Sequence, residues 1–160
     1  MRAFGWIVVL GVSSAAIAST LVPHTLLERA RRSDRVAVVQ VLEQWVERSG
    51  NPQRPTLKTF TRVAVGEQVR GSGPGELTIV QFGGRDGPWE LRVPGDATFV
   101  PGETDLVFLR CQGERCALVA LGEGRLPVVN GELQVRDLFS GQVSKRSLAS
   151  VMAELKAAGR

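Results

Sequence analysis

Short apolar runs separated by glycine and proline are the feature that most constrains how this chain folds. The runs are rich in valine and other β-branched or bulky residues. The breaks between them fall at residues 49–55, 70–75, 83–88, 94–95 and 101–102. Glycine and proline end strands and favour turns. Many short strands with breaks at this spacing predict a mainly β protein, either a barrel or a sandwich.

Individual runs predict particular strands. Residues 35–47 are rich in β-branched or bulky apolar residues, which favours a long strand with apolar contacts on both faces. Residues 49–55 predict a turn or an exposed loop, and residues 56–65 alternate as a half-exposed strand does. Residues 77–82 form the next predicted strand. Asn130-Gly131 lies between two apolar runs and predicts a two-residue hairpin.

Two helices are predicted, one near each end of the chain. Thr25 and Glu28 have the spacing of a capping box, so a short helix is expected to begin there. Ser147 is a favourable N-cap for a final helix over about residues 147–158. Its apolar residues fall along one stripe: Leu148, Val151, Met152 and Leu155. We expect this helix to cover an open edge or end of the β structure.

The N-terminal residues 1–18 have the pattern of a cleavable signal peptide. A positive charge at Arg2 precedes the uncharged residues 4–17, and cleavage is expected between Ala18 and Ser19. The apolar stretch is shorter than the roughly 20 residues of a membrane-spanning helix, although a retained anchor is the alternative. We expect a periplasmic or extracellular single domain over residues 19–160, with no stable membrane span after cleavage.

The two cysteines predict a disulfide. Cys111 and Cys116 flank a polar loop, and the apolar runs 105–110 and 117–121 lie on either side of them, as in a β-hairpin. Across such a hairpin the two side chains face each other at the separation that a disulfide requires. An oxidising destination favours the bond. The alternative is a pair of free redox-active thiols, but the spacing is not Cys-x-x-Cys.

The order of motifs from Thr25 to Leu121 resembles a known family. A short helix ending at residues 33–34 precedes a valine-rich strand, a strand closing on residues 69–71, a Gly83-Gly84 turn and Phe99-Val-Pro-Gly-Glu103. This layout resembles secreted bacterial proteins with the OB-type barrel shared by netrin-like and metalloproteinase-inhibitor domains. The resemblance implies a small OB-like antiparallel barrel over about residues 25–140.

The sequence also departs from that family. Gln40 stands where the first strand of the family often has glycine, and Asp105 stands where an aromatic residue is expected. Metalloproteinase inhibitors of this kind use a Cys-x-Cys at the mature N-terminus to chelate zinc, whereas this chain has Ser19-Thr20-Leu21. Their inhibitory mechanism therefore does not transfer to this chain.

Residues with catalytic potential are few. His24 is the only histidine, and its place near the mature N-terminus indicates a surface or helix-entry residue. Five carboxylates from neighbouring loops are the alternative source of acid–base chemistry or a Ca²⁺ site: Asp86, Glu90, Asp96, Glu103 and Asp105. Turns and strand ends are also where solvated carboxylates normally lie. No metal-ligand spacing or cofactor motif is present, so we expect neither a metal nor a cofactor.

Two further patterns have mainly structural interpretations. The arginine cluster Arg29, Arg31, Arg32 and Arg35 indicates a solvated helix face, with polyanion binding as the alternative. The glycine-rich residues 71–75 lack the Lys-Ser/Thr of a phosphate loop and precede a strand. Nucleic-acid binding is not expected, because the chain has no tyrosine and several of its Phe and Trp residues belong to predicted core strands.

The sequence favours a non-enzymatic exported domain that binds a protein or a cell-envelope component through its loops, where scaffolds usually carry recognition. The alternative is a hydrolase that uses carboxylates from the loops between Asp86 and Asp105.

Overall fold

A computed structural model describes residues 24–136 and 141–159. The predicted signal peptide and its cleavage point between Ala18 and Ser19 lie outside these residues. The helices are α1 (Leu26–Arg31) and α2 (Leu148–Ala158). The strands are β1 (Arg35–Asn51), β2 (Arg54–Arg70), β3 (Glu76–Phe82), β4 (Gly84–Asp86), β5 (Trp89–Leu91), β6 (Thr104–Gln112), β7 (Arg115–Leu118), β8 (Arg125–Val129), β9 (Glu132–Arg136) and β10 (Val143–Ser147).

Five strands form a closed ring in the order β1, β2, β3, β7, β6 and back to β1. Neighbouring strands in the ring are antiparallel except β3 and β7, which are parallel. Strands β8, β9 and β10 continue the sheet outward from β6. The predicted fold class is confirmed, since the chain is mainly β and barrel-like, with a short N-terminal helix and a C-terminal helix.

The first part of β1 and most of β6 are buried on both faces. Side chains such as Val39, Val63 and Ile79 fill the inside of the ring. On the outer side, Val36 of β1 and Phe108 of β6 pack against the helices and β9 in a second apolar cluster. The predicted apolar contacts on both faces of the first strand are therefore confirmed for its ring-forming part.

Both predicted helices form with their predicted caps. The Thr25 hydroxyl accepts a hydrogen bond from the main-chain N–H of Glu28, and a Glu28 carboxylate oxygen accepts one from the N–H of Thr25. Ser147 caps α2, which buries Val151, Met152 and Leu155. Helix α2 contacts α1 and β2, and it covers one side of the ring.

The predicted loop at residues 49–55 is largely strand. Strands β1 and β2 pair continuously out to Asn51 opposite Arg54, so only residues 52 and 53 form the turn. Gly50 adopts a φ of 86°, which glycine tolerates, and Pro55 lies near the hairpin tip. Strand β1 pairs with β6 only as far as Gln40. We call residues 43–62 the hairpin extension.

The small sheet of β4 and β5 packs against one face of the hairpin extension. The Thr59 hydroxyl donates a hydrogen bond to the carbonyl of Gly83, 2.9 Å away. A Cβ atom on Gly84 would lie 2.7 Å from the Thr59 hydroxyl oxygen and 2.9 Å from a methyl group of Val46. This close approach requires glycine. The opposite face of the extension is not covered by any described helix or sheet, and Trp45 on that face is 37% exposed.

The C-terminal part of the sheet combines a predicted hairpin with an unpredicted strand. Asn130 and Gly131 both have positive φ, at 52° and 77°, and they connect β8 to β9 as predicted. Strand β10 pairs with β9 although residues 143–147 have no apolar alternation.

Candidate binding surface

The predicted disulfide joins β6 and β7. Cys111 and Cys116 lie directly opposite each other in the strand register, and their sulfur atoms are 2.09 Å apart. The main-chain N–H of Cys111 donates to a carboxylate oxygen of Asp34, 3.0 Å away. This contact connects the hairpin to the residue that precedes β1.

The five candidate carboxylates occupy three separate environments. Asp86 forms an ion pair with Arg48 at 3.3 Å. Glu90 and Asp96 line one groove of about 500 Å³. Glu90 is paired with Arg92 there, and Asp96 accepts hydrogen bonds from Gln81 and from the main-chain N–H of Ala97.

Glu103 and Asp105 share one arginine. A guanidinium nitrogen of Arg125 lies 2.6 Å from Glu103, and its Nε lies 2.8 Å from Oδ1 of Asp105. The same guanidinium stacks on the Phe99 ring at 5.3 Å. Asp105 is 0% exposed and is closed to solvent, whereas Glu103 is exposed.

The electrostatic environments of these carboxyls differ. Burial raises the pKa of Asp105, partly offset by Arg125. The hydrogen bond and the charge of Arg92 lower the pKa of Glu90. The structure thus brings Glu90 and Asp96 to one groove and Glu103 and Asp105 to one arginine, while Asp86 lies with neither pair.

His24 lies at the entry to α1. Its main-chain N–H donates to Glu123, and its ring Nε2 lies 2.6 Å from a guanidinium nitrogen of Arg32. The side chain of Arg29 donates to the carbonyl oxygens of His24 and Glu123. These bonds attach the start of α1 to residue 123.

The arginine cluster does not form one solvated helix face. Arg29 is 5% exposed and lies over the Phe108 ring, and Arg35 is 4% exposed. Arg31 and Arg32 are exposed. The prediction was wrong for Arg29 and Arg35, because each turns towards the protein interior and donates to oxygen atoms there.

The uncovered face of the hairpin extension carries exposed aromatic rings. Trp45 and Phe60 lie opposite each other across β1 and β2 and stack with centroids 5.5 Å apart. Phe82 of β3 pairs with Lys58 in the register, and the Lys58 ammonium lies 5.4 Å from its ring centroid. Trp45 is 37% exposed and Phe82 is 64% exposed. We call Trp45, Phe60, Phe82 and Lys58 the aromatic face.

Sequence reasoning missed this surface. Several Phe and Trp residues were expected in the core, which holds for Phe99 and Phe108 but not for Trp45 and Phe82. A signal was present, because Glu43 and Glu47 share a side of β1 with Trp45 in the alternation of a strand. A tryptophan between charged residues on one strand face indicates an exposed face.

No group of three or more His, Cys, Asp or Glu side chains that could hold a metal ion occurs in residues 24–136 and 141–159. Over the same residues, no helix has the length and hydropathy needed to cross a bilayer. Comparison with protein-family models and with curated proteins gives no match for this chain.

Proposed function

We propose that this protein is an exported, non-enzymatic binding domain that recognises an extended segment of a protein partner on its aromatic face. The observation that carries the proposal is the solvent exposure of Trp45 and Phe82 on one face of a rigid sheet. Contiguous exposed apolar surface on a folded domain typically marks an interaction site. Tryptophan and other aromatic residues are enriched among the side chains that dominate binding energy.

The aromatic face is preorganised for binding. The pairing of β1 with β2 fixes the backbone positions of Trp45 and Phe60, and their two rings stack on each other. The indole N–H of Trp45 donates to Glu47, 2.9 Å away. Sheet β4–β5 packs against the face of the hairpin extension that is opposite Trp45. Since little side-chain freedom is left to lose, binding at this face has a low entropic cost.

The charges around the aromatic rings favour a protein partner over a nucleic acid. Arg62 lies on the same face and forms ion pairs with Glu43 at 3.0 Å and with Glu76 at 3.8 Å. Lys58 lies between Glu47 and Phe82 in the register. Nucleic-acid surfaces require a basic track, whereas a rim of both signs is typical of protein interfaces.

The free edge of β1 supplies a second recognition element. Beyond Val41, no described strand pairs with the outer edge of β1. Its main-chain N–H and C=O groups can accept an additional strand from a partner. An extended segment added there would place alternate side chains beside Trp45. Export of the domain remains a proposal that rests on residues 1–18.

One observation favours the competing hydrolase hypothesis, namely that Glu90 and Asp96 line one groove. Acid catalysis needs a carboxyl that is protonated near the working pH. The lowered pKa of Glu90 does not meet this need. The side chain of Asp96 is held in place by the hydrogen bonds that it accepts from Gln81 and from the main-chain N–H of Ala97. The binding proposal therefore has the stronger support.

The test is affinity capture with purified residues 19–160 on a solid support and extract from the native cell envelope. We expect one partner to be retained by the wild type and reduced about tenfold or more by Trp45→Ala and by Phe82→Ala. Val129→Ala is the matched control, because Val129 is an exposed apolar residue on β8. Binding of the purified partner is then measured by calorimetry.

Equal retention by the wild type, Trp45→Ala and Phe82→Ala would overturn the proposal. Folding of each variant is checked by far-UV circular dichroism, so that lost binding is not confused with unfolding. If the purified domain alone had a hydrolytic activity and Glu90→Gln abolished that activity, the competing function would be established instead.

A further inference from the structure

A groove of about 570 Å³ lies where α1 and α2 meet the end of β2. Its apolar lining residues come from all three elements: Leu27, Ala30, Val69, Leu155 and Ala158. Its charged lining residues are Arg31, Arg70 and Lys156, and no carboxylate of the described residues lines it. The groove therefore combines an apolar floor with cationic side chains at its rim.

Two of the three cations have no partner among the residues that the structure describes. Lys156 is paired with Glu67, 2.6 Å away. Arg31 and Arg70 form no ion pair or hydrogen bond with any residue that the structure describes. Both are exposed, and Arg70 is followed by Gly71, which also lines the groove.

A third arginine is buried beside the groove without a counter-charge. Arg35 is 4% exposed, and its Nη2 donates to Gln68 at 3.0 Å and to the carbonyl of Pro74 at 3.3 Å. Its Nε and Nη1 have no acceptor among the described residues. A guanidinium stays charged at all ordinary pH values, and burial reduces the screening of that charge.

Gly71 connects the buried arginine to the groove. A Cβ atom on Gly71 would lie 2.9 Å from Cγ of Arg35, so the loop lies directly on this side chain. The guanidinium of Arg35 lies beyond Gly71, beside Gly73 and Pro74, while Arg31 and Arg70 line the groove itself, and no described carboxylate pairs with any of the three. Such an arrangement attracts anions to this end of the groove.

We propose that the groove between α1 and α2 binds an anionic amphiphile, with a carboxylate or phosphate headgroup at Arg31 and Arg70 and an alkyl chain along Leu27, Val69 and Leu155. The apolar floor distinguishes this ligand from a plain polyanion, which would leave the floor uncovered. The rim distinguishes it from a neutral or cationic amphiphile. The groove shares no residue with the aromatic face, so this proposal is independent of the proposed function.

The first experiment is calorimetric titration of residues 19–160 with soluble probes. Decanoate and decyl phosphate are expected to bind. Acetate and inorganic phosphate, which lack the chain, are expected to bind about tenfold more weakly or not at all. Decyltrimethylammonium is the probe with opposite charge, and we expect no binding. Equal binding of decanoate and decyltrimethylammonium would overturn the proposal.

Variants locate the site. Arg31→Gln combined with Arg70→Gln is expected to weaken decanoate binding about tenfold or more, and both positions are exposed, so the fold should persist. The matched control is Arg54→Gln combined with Arg115→Gln, which removes the same charge from exposed positions elsewhere. An equal loss of decanoate binding in both double variants would indicate general charge attraction and would overturn the proposed position of the site.

Ala158 gives a sharper test because it is exposed and lines the groove. Ala158→Glu adds size and negative charge, and Ala158→Gln adds nearly the same size alone. We expect Ala158→Glu to weaken decanoate binding more than Ala158→Gln does. The reverse order would contradict a headgroup site in this groove.

A flotation assay distinguishes free amphiphiles from a membrane as the source. Vesicles of phosphatidylglycerol that bind the wild type and lose binding in the Arg31/Arg70 variant would identify a lipid headgroup as the source. Decanoate binding without vesicle binding would identify a free amphiphile. Vesicle binding that survives in the variant, together with no decanoate binding, would overturn the proposal.

Discussion

The β1–β2 hairpin contains two regions with the same backbone pairing and different surroundings. In the ring, residues 35–40 of β1 pair with β2 on one side and β6 on the other, and apolar clusters cover both faces. In the hairpin extension, β2 is the only described strand beside β1, sheet β4–β5 covers one face, and the other face exposes Trp45.

This difference shows that two parts of the same strand can have different roles when their surroundings differ. The ring part is specified by valines at neighbouring positions, which fit only where both faces are buried. In the extension, Glu43 and Glu47 share one face of β1 with Trp45, which fits a sheet with one free face. The ring therefore determines the stability of the domain, and the extension presents a surface.

The largest expected effect is on stability in the ring. Phe108 is fully buried on β6 opposite Val36, so Phe108→Ala should lower the free energy of unfolding by about 4 kcal/mol. Trp45→Ala in the hairpin extension should lower it by about 1 kcal/mol or less, because Trp45 is 37% exposed and its stacking on Phe60 is a single cross-strand contact. Urea denaturation followed by circular dichroism measures both values. Similar losses of stability in the two variants would contradict the difference between the ring and the hairpin extension.

The disulfide should have a smaller effect that is confined to the ring. It closes a short loop between β6 and β7, so replacing Cys111 and Cys116 by Ser should lower the free energy of unfolding by about 2 kcal/mol without preventing folding. Hydrogen exchange should become faster in β6 and β7, while the hairpin extension is unchanged. Reducing the wild type with dithiothreitol is the matched control. Faster exchange around Trp45 would show that the two regions are coupled.

The smallest effect concerns the one carboxylate that the ring buries fully, Asp105. Its pKa is raised in the folded state by burial, so the folded protein holds this proton more tightly than the unfolded chain does. Its contribution to stability is complete below about pH 4, the ordinary range of an aspartate pKa, and is lost as the pH rises through the folded-state pKa.

Asp105→Asn isolates this effect because it removes the titration and keeps the side-chain shape. The free energy of unfolding of the wild type, relative to that of Asp105→Asn, should fall as the pH rises from about 4. Urea denaturation over a series of pH values measures this difference. A relative stability that rises with pH would mean that the pairing with Arg125 outweighs burial.

Local sequence signals were enough to predict part of the fold. The capping box at Thr25, the Asn130-Gly131 turn and the paired cysteines each involve residues close in the chain, and all three are found. Their geometry is determined by a few neighbouring residues. The valine-rich β1 was predicted for the same reason, since its composition favours burial on both faces.

Features that depend on distant contacts were not predictable in the same way. Nothing in the local sequence distinguishes Arg35 from the exposed arginines. Its burial depends on the loop that contains Gly71 and Gly73, which lies against its side chain. Strand β10 has a polar sequence and forms because β9 offers it a partner. The full length of the hairpin was missed because Gly50 and Pro55 usually end strands, whereas a hairpin tip tolerates both.

The two pairings that close the ring also govern how the chain reaches its folded state. Strands β1 and β6 are far apart in the sequence, as are β3 and β7, whereas β1–β2, β6–β7 and β8–β9 are local hairpins. Local hairpins form within microseconds, but the entropy of closing a long loop must be overcome before distant strands can pair. We therefore expect ring closure to be the slow step of folding, in the range of milliseconds to seconds that is typical of β topologies with distant contacts. Until it occurs, both faces of β1 are exposed and the nascent chain is at its most vulnerable to association with other copies.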